Sequence, residues 1–279
     1  QWANRSHLRA TTLFFLEDFL LRFIYSNDYR GNHFYCQPMR TLVVGDIHGG
    51  LKALKQVLDF IDPKYTDRYI FLGDYVDGWS ESAETIQFLI EFSKKFDCIY
   101  LRGNHDELTY KYLKHGDDNP LWLNHGGRET RKSYEAFSSS AIEEHLQFFH
   151  NLVNYHIDSK NRLFVHAGFT NLHGPQNEYY PNLVYWDRTL WEVACSLDQS
   201  LSKDNPQYPT RLKLFSEIYI GHTPVTRLGE TVPLQCANVW NIDTGAAFKG
   251  PLSVIDVDTK EVWQSDPVYK LYPSEKGRN

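Results

Sequence analysis

Five short polar clusters, each flanked by glycine, carry the residues of this chain that could bind metal or move protons. They are Gly45-Asp46-Ile47-His48-Gly49, Gly73-Asp74-Tyr75-Val76-Asp77-Gly78, Gly103-Asn104-His105-Asp106, His166-Ala167-Gly168 and Gly221-His222-Thr223. Asp46, His48, Asp74, Asn104, His166 and His222 offer oxygen and imidazole nitrogen but no thiolate. That donor set suits Mn²⁺, Fe or Zn²⁺ and argues against copper(I) or an iron–sulfur cluster. Six such groups are too many for one open catalytic ion and fit two, with Asp74 as the bridging carboxylate. Asp46 and His48 are two residues apart, so in extended backbone their side chains fall on the same side. Two ions roughly 3.5–4 Å apart form the arrangement that activates water and stabilises an in-line phosphoryl displacement. Any one of these clusters alone reads as a cap or a surface turn. All five in series are not a chance assembly.

What must position them is the apolar run that precedes each one. TLVV at 41–44, YIFL at 69–72, IYL at 99–101, LFV at 163–165 and IYI at 218–220 read as buried strands of a mixed or parallel sheet. Leu51, Leu54, Leu58 and Ile61 make one helical stripe, and Ile86, Leu89, Ile90 and Phe96 another, with Ser80 or Ser82 as its cap. Strands alternating with helices predict an α/β domain, whose ligands sit at the carboxyl ends of the strands. Runs at 239–242, 252–257 and 262–264, with a hairpin turn at 258–260, predict a second, more antiparallel sheet. Residues 115–127 and 171–211 read as long loops, which in a compact domain are more often functional than idle.

Composition narrows the classes. The chain has 279 residues, 42% hydrophobic and 23% charged, which is ordinary globular usage and excludes disorder. A net charge of −6 gives no general pull toward nucleic acid or an anionic membrane. No apolar run reaches the length of a membrane span; 12–25 is shorter, carries Glu17, Asp18 and Arg22, and reads as an amphipathic helix. The single methionine, Met39, precedes the first strand-like run, so residues 1–38 are expected to be an extension and 39–279 the catalytic domain. Cys36, Cys98, Cys195 and Cys236 form no CxxC pair, which points to a reducing, cytoplasmic setting.

The blocks GDIHG, GDYVDG, GNHD, HAG and GHT resemble the signature of the calcineurin-like metallophosphoesterases, and within them the bacterial and phage-type phosphoprotein phosphatases. The resemblance runs from about residue 40 to 258, including Asn241-Ile242-Asp243-Thr244-Gly245-Ala246. It implies a β-sandwich of two mixed sheets flanked by helices. It also implies one ion on Asp46, His48 and Asp74 and a second on Asp74, Asn104, His166 and His222. Manganese is the first expectation, with a metal-bridging hydroxide as nucleophile, His105 as general acid and Asp77 as its partner.

The second block departs from the family pattern GDxVDRG: Gly78 and Trp79 follow Asp77, so an arginine that contacts substrate phosphate is missing. Arginine matters there because its planar fork binds phosphate oxygens bidentately. Arg188, in Tyr185-Trp186-Asp187-Arg188, and Arg128, in Asn124-His125-Gly126-Gly127-Arg128, are the candidate replacements. Arg102 is expected to make a structural ion pair, and Trp79 and Trp122 to pack in the core or line the entrance. The leading function is a metal-dependent phosphomonoesterase acting on phosphorylated Ser, Thr or Tyr in proteins. The alternatives are a symmetrical dinucleoside polyphosphate hydrolase and a non-catalytic metal-binding module. A nuclease is disfavoured by the acidity and by the lack of a basic aromatic stripe.

Overall fold

The computed structural model describes residues 40–198 and 200–278. The amphipathic stretch at 12–25 and the boundary at Met39 lie outside the described residues. Among the described residues, ten strands form two sheets. In chain order they are β1 (Thr41–Val44), β2 (Arg68–Phe71), β3 (Asp97–Tyr100), β4 (Tyr155–Ile157), β5 (Arg162–Val165), β6 (Glu217–Ile220), β7 (Leu234–Cys236), β8 (Val239–Asn241), β9 (Ser253–Asp256) and β10 (Val262–Gln264). The first sheet runs β10-β9-β1-β2-β3 and the second β4-β5-β6-β8-β7. Each is mixed: β1, β2 and β3 are parallel, as are β5, β6 and β8, and antiparallel strands complete the edges.

Alternation along the strands explains how the sheets stack. Val43, Ile70, Ile255, Phe164 and Tyr219, drawn from both sheets, form one buried layer between them. Their neighbours Leu42, Val44, Tyr69 and Phe71 point the other way, under α1 (Leu51–Ile61) and α2 (Ser82–Ser93). Leu163, Val165, Ile218 and Ile220 pack against Leu190, Trp191 and Ala194 of a helix at Thr189–Ser196. Strands buried on both faces are apolar at most positions, and so the runs read as near-continuous rather than alternating. The result is four layers, helix–sheet–sheet–helix. Two further helices, α3 (Asn104–His115) and α4 (Ser139–His150), pack on each other beyond β3.

Several expectations need correction. The strands after residue 238 do not make a sheet of their own. β8 joins β6 in the second sheet, whereas the β9–β10 hairpin, turning through 258–260, pairs with β1 in the first. Pairing partners are set by tertiary packing, which no local period encodes. Neither serine caps α2: its N-cap is Glu81, without a side-chain bond, while Ser80 is bonded by Glu275. The predicted loop at 171–211 contains the Thr189–Ser196 helix, now α5. Cys195 and Cys236, far apart in sequence, are brought to a sulfur–sulfur contact of 2.8 Å. Among the described residues, no helix is long and apolar enough to cross a membrane.

Candidate metal centre

The carboxyl ends of β1, β2, β3, β5 and β6 deliver all six candidate ligands to one place. Asp46, His48, Asp74, Asn104, His166 and His222 are all buried. Five of them form two overlapping trios, Asp46–His48–Asp74 and Asp74–His166–His222, and within each trio the candidate ligand atoms lie within 4.8 Å of one another. His48 Nε2 lies 3.8 Å from Asp46 Oδ2 and 3.6 Å from Asp74 Oδ2, and His166 Nε2 lies 3.4 Å from Asp74 Oδ1. Asn104 Oδ1 stands 2.9 Å from His222 Nδ1 and 3.3 Å from His166 Nε2. Asp74 is thus the one side chain common to both trios. His48, Asp74, Asp77 and His222 all adopt positive φ, 53°, 54°, 69° and 67°. Non-glycine residues held there cost about 1–3 kcal/mol each, a strain that collects at functional sites. Gly103 permits the approach: a Cβ there would fall 2.2 Å from Asp74 Oδ1.

The chemistry of the donors fits divalent ions. His48 Nδ1 is bonded to the Asp77 carbonyl at 2.8 Å and His166 Nδ1 to the Leu72 carbonyl at 2.8 Å. A carbonyl only accepts, so each Nδ1 carries a proton, and in the neutral ring each Nε2 would turn a lone pair toward carboxylate oxygen. Metal-binding histidines are oriented in this way. Lone pair facing lone pair is repulsive unless a cation or a proton stands between. The buried Nε2 of His222 has no partner at all. The charges show the same deficit. Burial, with Asp243 and Asp74 nearby, pushes the Asp46 carboxyl well above its usual range. Burial pushes the His48 imidazole down to about 3. His166 is driven up to about 10 against the effect of burial, chiefly by Asp74. A crowd of buried acids without matching cations is the electrostatic shape of a cation site.

Beside the trios stands a histidine–carboxylate pair. His105 Nδ1 donates to Asp77 Oδ2 at 2.7 Å, and both residues are buried. Trp122 Nε1 donates to the same oxygen at 2.7 Å, and Thr130 Oγ1 to Asp77 Oδ1 at 2.7 Å. Asp106 ties the two loops together, accepting from the amides of Gly103 and Asp74 at 2.8 Å and of Tyr75 at 2.9 Å. Asp74 Oδ1 in turn takes the His105 amide at 3.0 Å, at the first turn of α3.

This geometry agrees with what the sequence matches. The calcineurin-like phosphoesterase family fits residues 39–246. The chain belongs to that family. It is similar to proteins named asymmetrical bis(5'-nucleosyl)-tetraphosphatase PrpE. The one from Halalkalibacterium halodurans is 26% identical over 266 residues, covering 86% of this chain and 99% of the relative. The one from Oceanobacillus iheyensis is 22% identical, covering 80% and 90%. In fold the chain is similar to a protein serine/threonine phosphatase from Saccharomyces cerevisiae, with a TM-score of 0.56 and 13% identity, covering 83% of this chain and 81% of that one. It is likewise similar to a cold-active protein tyrosine phosphatase, with a TM-score of 0.53 and 13% identity, covering 78% and 74%. This calcineurin-like phosphoesterase is therefore a metal-dependent hydrolase, and the paired trios are where its ions could be held.

The cavity over the trios, about 350 Å³, is lined by His48, Asp74, Asn104, His105 and His222 of the centre. Three arginines, Arg188, Arg227 and Arg278, complete the wall with Trp122, Trp186 and Phe248. Arg188 Nη1 donates to Thr223 Oγ1 at 2.7 Å, and burial, then the charge of Arg227, lowers its pKa from the ordinary value. Arg128 is not brought there: it is not among the residues lining the cavity, and its Nη2 donates to Asn124 Oδ1 at 3.1 Å. Arg102 makes the expected structural pair, with Glu107 at 2.8 Å. Trp79 does not line the entrance. It is fully buried and donates to the Ala246 carbonyl at 2.8 Å. Trp122 is both core and cavity wall. Arg227 and Arg278 escaped the sequence reading because each lies outside the five blocks.

Proposed function

We propose that this phosphoesterase hydrolyses a phosphate ester or anhydride of a nucleotide, with His105 as general acid and Asp77 as the residue that orients it. The observation that carries the reading is the 2.7 Å bond from His105 Nδ1 to Asp77 Oδ2 beside both ligand trios. With Nδ1 committed to Asp77, the Nε2 edge of a ring on the cavity wall is left for the leaving oxygen, which needs a proton as the bond to phosphorus breaks. Asp46, His48 and Asp74 would hold one divalent ion, and Asp74, Asn104, His166 and His222 the other. Manganese suits their oxygen and nitrogen donors, and iron or zinc would too. Such a pair of ions supplies Lewis acidity and activated water at neutral pH. Arg188 would take non-bridging phosphoryl oxygens.

Substrate class follows from the rest of the cavity. A single phosphoryl group does not need three guanidiniums, and a polyphosphate would offset their mutual repulsion beyond what Asp74 and Asp243 on the same wall already do. Trp186 and Phe248 add aromatic faces on which a base can stack. A dinucleoside polyphosphate satisfies both features, in keeping with the names of the PrpE relatives. A phosphorylated Ser, Thr or Tyr side chain would use the same acid and metals but leave most of that surface unfilled. The test is turnover of diadenosine tetraphosphate, a phosphopeptide and an aryl phosphate by manganese-loaded protein. Preference for the dinucleotide is expected, and its nucleotide products distinguish symmetrical from asymmetrical cleavage. A phosphopeptide turned over faster than the dinucleotide would reverse the assignment, and no turnover of any phosphoester would end it.

A further inference from the structure

Position 78 carries no side chain, yet the stem of an arginine from a remote segment lies beside it. After the last strand, the segment at 265–278 returns across the site. Val268–Leu271 forms a single helical turn, and the Tyr272 ring then stacks on Trp79, with centroids 5.3 Å apart and planes 20° apart. Glu275 clasps Ser80, accepting from its amide at 2.9 Å and from its hydroxyl at 2.7 Å. Gly277 lies flat against the indole of Trp79, where a Cβ would meet Cζ2 at 2.6 Å. The Arg278 amide donates to the Ala247 carbonyl at 2.9 Å, one residue from the carbonyl that takes Trp79 Nε1. Trp79 and Ser80 directly follow the position in question, so the sequence that lacks the guanidinium also builds the seat for this segment.

The consequence is the placement of Arg278. A Cβ built on Gly78 would lie 3.6 Å from Arg278 Cγ, and 3.0 Å from the His48 carbonyl, so the arginine stem passes over the metal-ligand loop. Its guanidinium carbon sits 5.4 Å from the Phe248 ring centroid, on the wall of the cavity that also holds His105, Asp74 and Arg188. No carboxylate among the described residues forms an ion pair with it. A charged fork anchored by its backbone, resting on an aromatic face and open toward a dinuclear site, is arranged to receive an anion.

We propose that Arg278 is a substrate-binding residue, which grips the phosphoryl group together with Arg188 and replaces, from a remote segment, the guanidinium that position 78 does not supply. The proposal rests on the phosphoester reading of the site. Its ligand is a phosphate group of any phosphoester.

The experiment titrates inorganic phosphate into manganese-loaded protein by calorimetry, and follows phosphate inhibition and KM with an aryl phosphate. Arg278→Ala is expected to weaken phosphate binding by about ten-fold or more, as loss of a charge-assisted bond does, and to raise KM with metal content unchanged. Arg278→Lys, which keeps the charge without the fork, should fall between. Guanidinium ion added at millimolar levels should restore phosphate binding to Arg278→Ala and not improve the wild type, a rescue that a merely structural role would not show. Phosphate affinity within about two-fold of wild type in Arg278→Ala overturns the proposal. Phosphate binding that depends on Arg278 in a protein hydrolysing no phosphoester would instead overturn the phosphoesterase reading, leaving Arg278 a phosphate-binding residue without a substrate role.

Discussion

Trp122 Nε1 and His105 Nδ1 donate to the same oxygen of Asp77, each at 2.7 Å. The carboxylate is therefore clamped from two sides. Thr130 bonds its other oxygen, and the Asp77 amide is bonded back to Thr130 Oγ1 at 3.0 Å. A side chain gripped in this way has one rotamer, and the ring of His105 inherits that definition. If His105 is the acid proposed above, Trp122 would act on the reaction through Asp77, as a positioning residue.

Trp122→Phe keeps the aromatic volume and removes one bond to a charged acceptor, worth about 1.5–3 kcal/mol. Turnover should fall by about ten-fold with KM for substrate little changed, because the reacting geometry loosens while phosphate binding does not. Metal analysis of the same preparation should show no loss of ions. A fall in metal content parallel to the fall in turnover would assign Trp122 to the fold of the site instead.

His105→Asn retains a polar side chain at the first turn of α3 and takes away the proton donor. The six candidate ligands are untouched, so bound metal should stay at the wild-type level while kcat drops by about 10²–10⁴-fold. The drop should be smallest for substrates whose leaving group needs no proton, such as an aryl phosphate with an acidic phenol. Equal losses across leaving groups would remove His105 from the acid role.

Asp74 belongs to both trios, and Asp46 to one. Asp74→Asn should therefore lower the occupancy of both ions, whereas Asp46→Asn should affect one more than the other. Elemental analysis after manganese loading and desalting reads this directly. Full occupancy in Asp74→Asn would show that this carboxylate does not bridge.

The convergence of the six candidate ligands was legible because each sits at a strand end, where a glycine-flanked polar residue interrupts an apolar run, and strand ends are a local property. The architecture was half legible. Runs at 41–44, 69–72 and 218–220 mark strands, but nothing local tells β8 to join β6 while β9 joins β1. His105 and Asp77 could be named only through the resemblance, since a carboxylate and an imidazole with 27 residues between them carry no spacing signal. Arg278 was illegible for the same reason, carried further. Its relation to Gly78 exists only once Tyr272 has stacked on Trp79. Trp122 was visible as a tryptophan, but its indole nitrogen could be assigned a partner only in three dimensions.

Away from the candidate metal centre, His145 on α4 is expected to make the protein acid-sensitive. It is fully buried, with Nδ1 3.1 Å from the Tyr134 hydroxyl and Nε2 3.1 Å from Gln87 Oε1, neutral partners that do little to offset the cost of burying a charged ring. Burial lowers its pKa from 6.5 to about 4. The unfolded chain therefore takes up a proton near pH 6.5 that the folded protein refuses until about 4. Stability from this group is complete above pH 6.5 and is lost as pH falls through that window, by about 2 kcal/mol at pH 5. His145→Gln can serve both hydrogen bonds without titrating. Urea unfolding at pH 7.5 and pH 5, at matched metal load, should show the variant losing about 2 kcal/mol less than wild type between the two. Because metal release affects both proteins alike, it cancels in that comparison. An identical loss in the variant would show that His145 is not the group that senses acid.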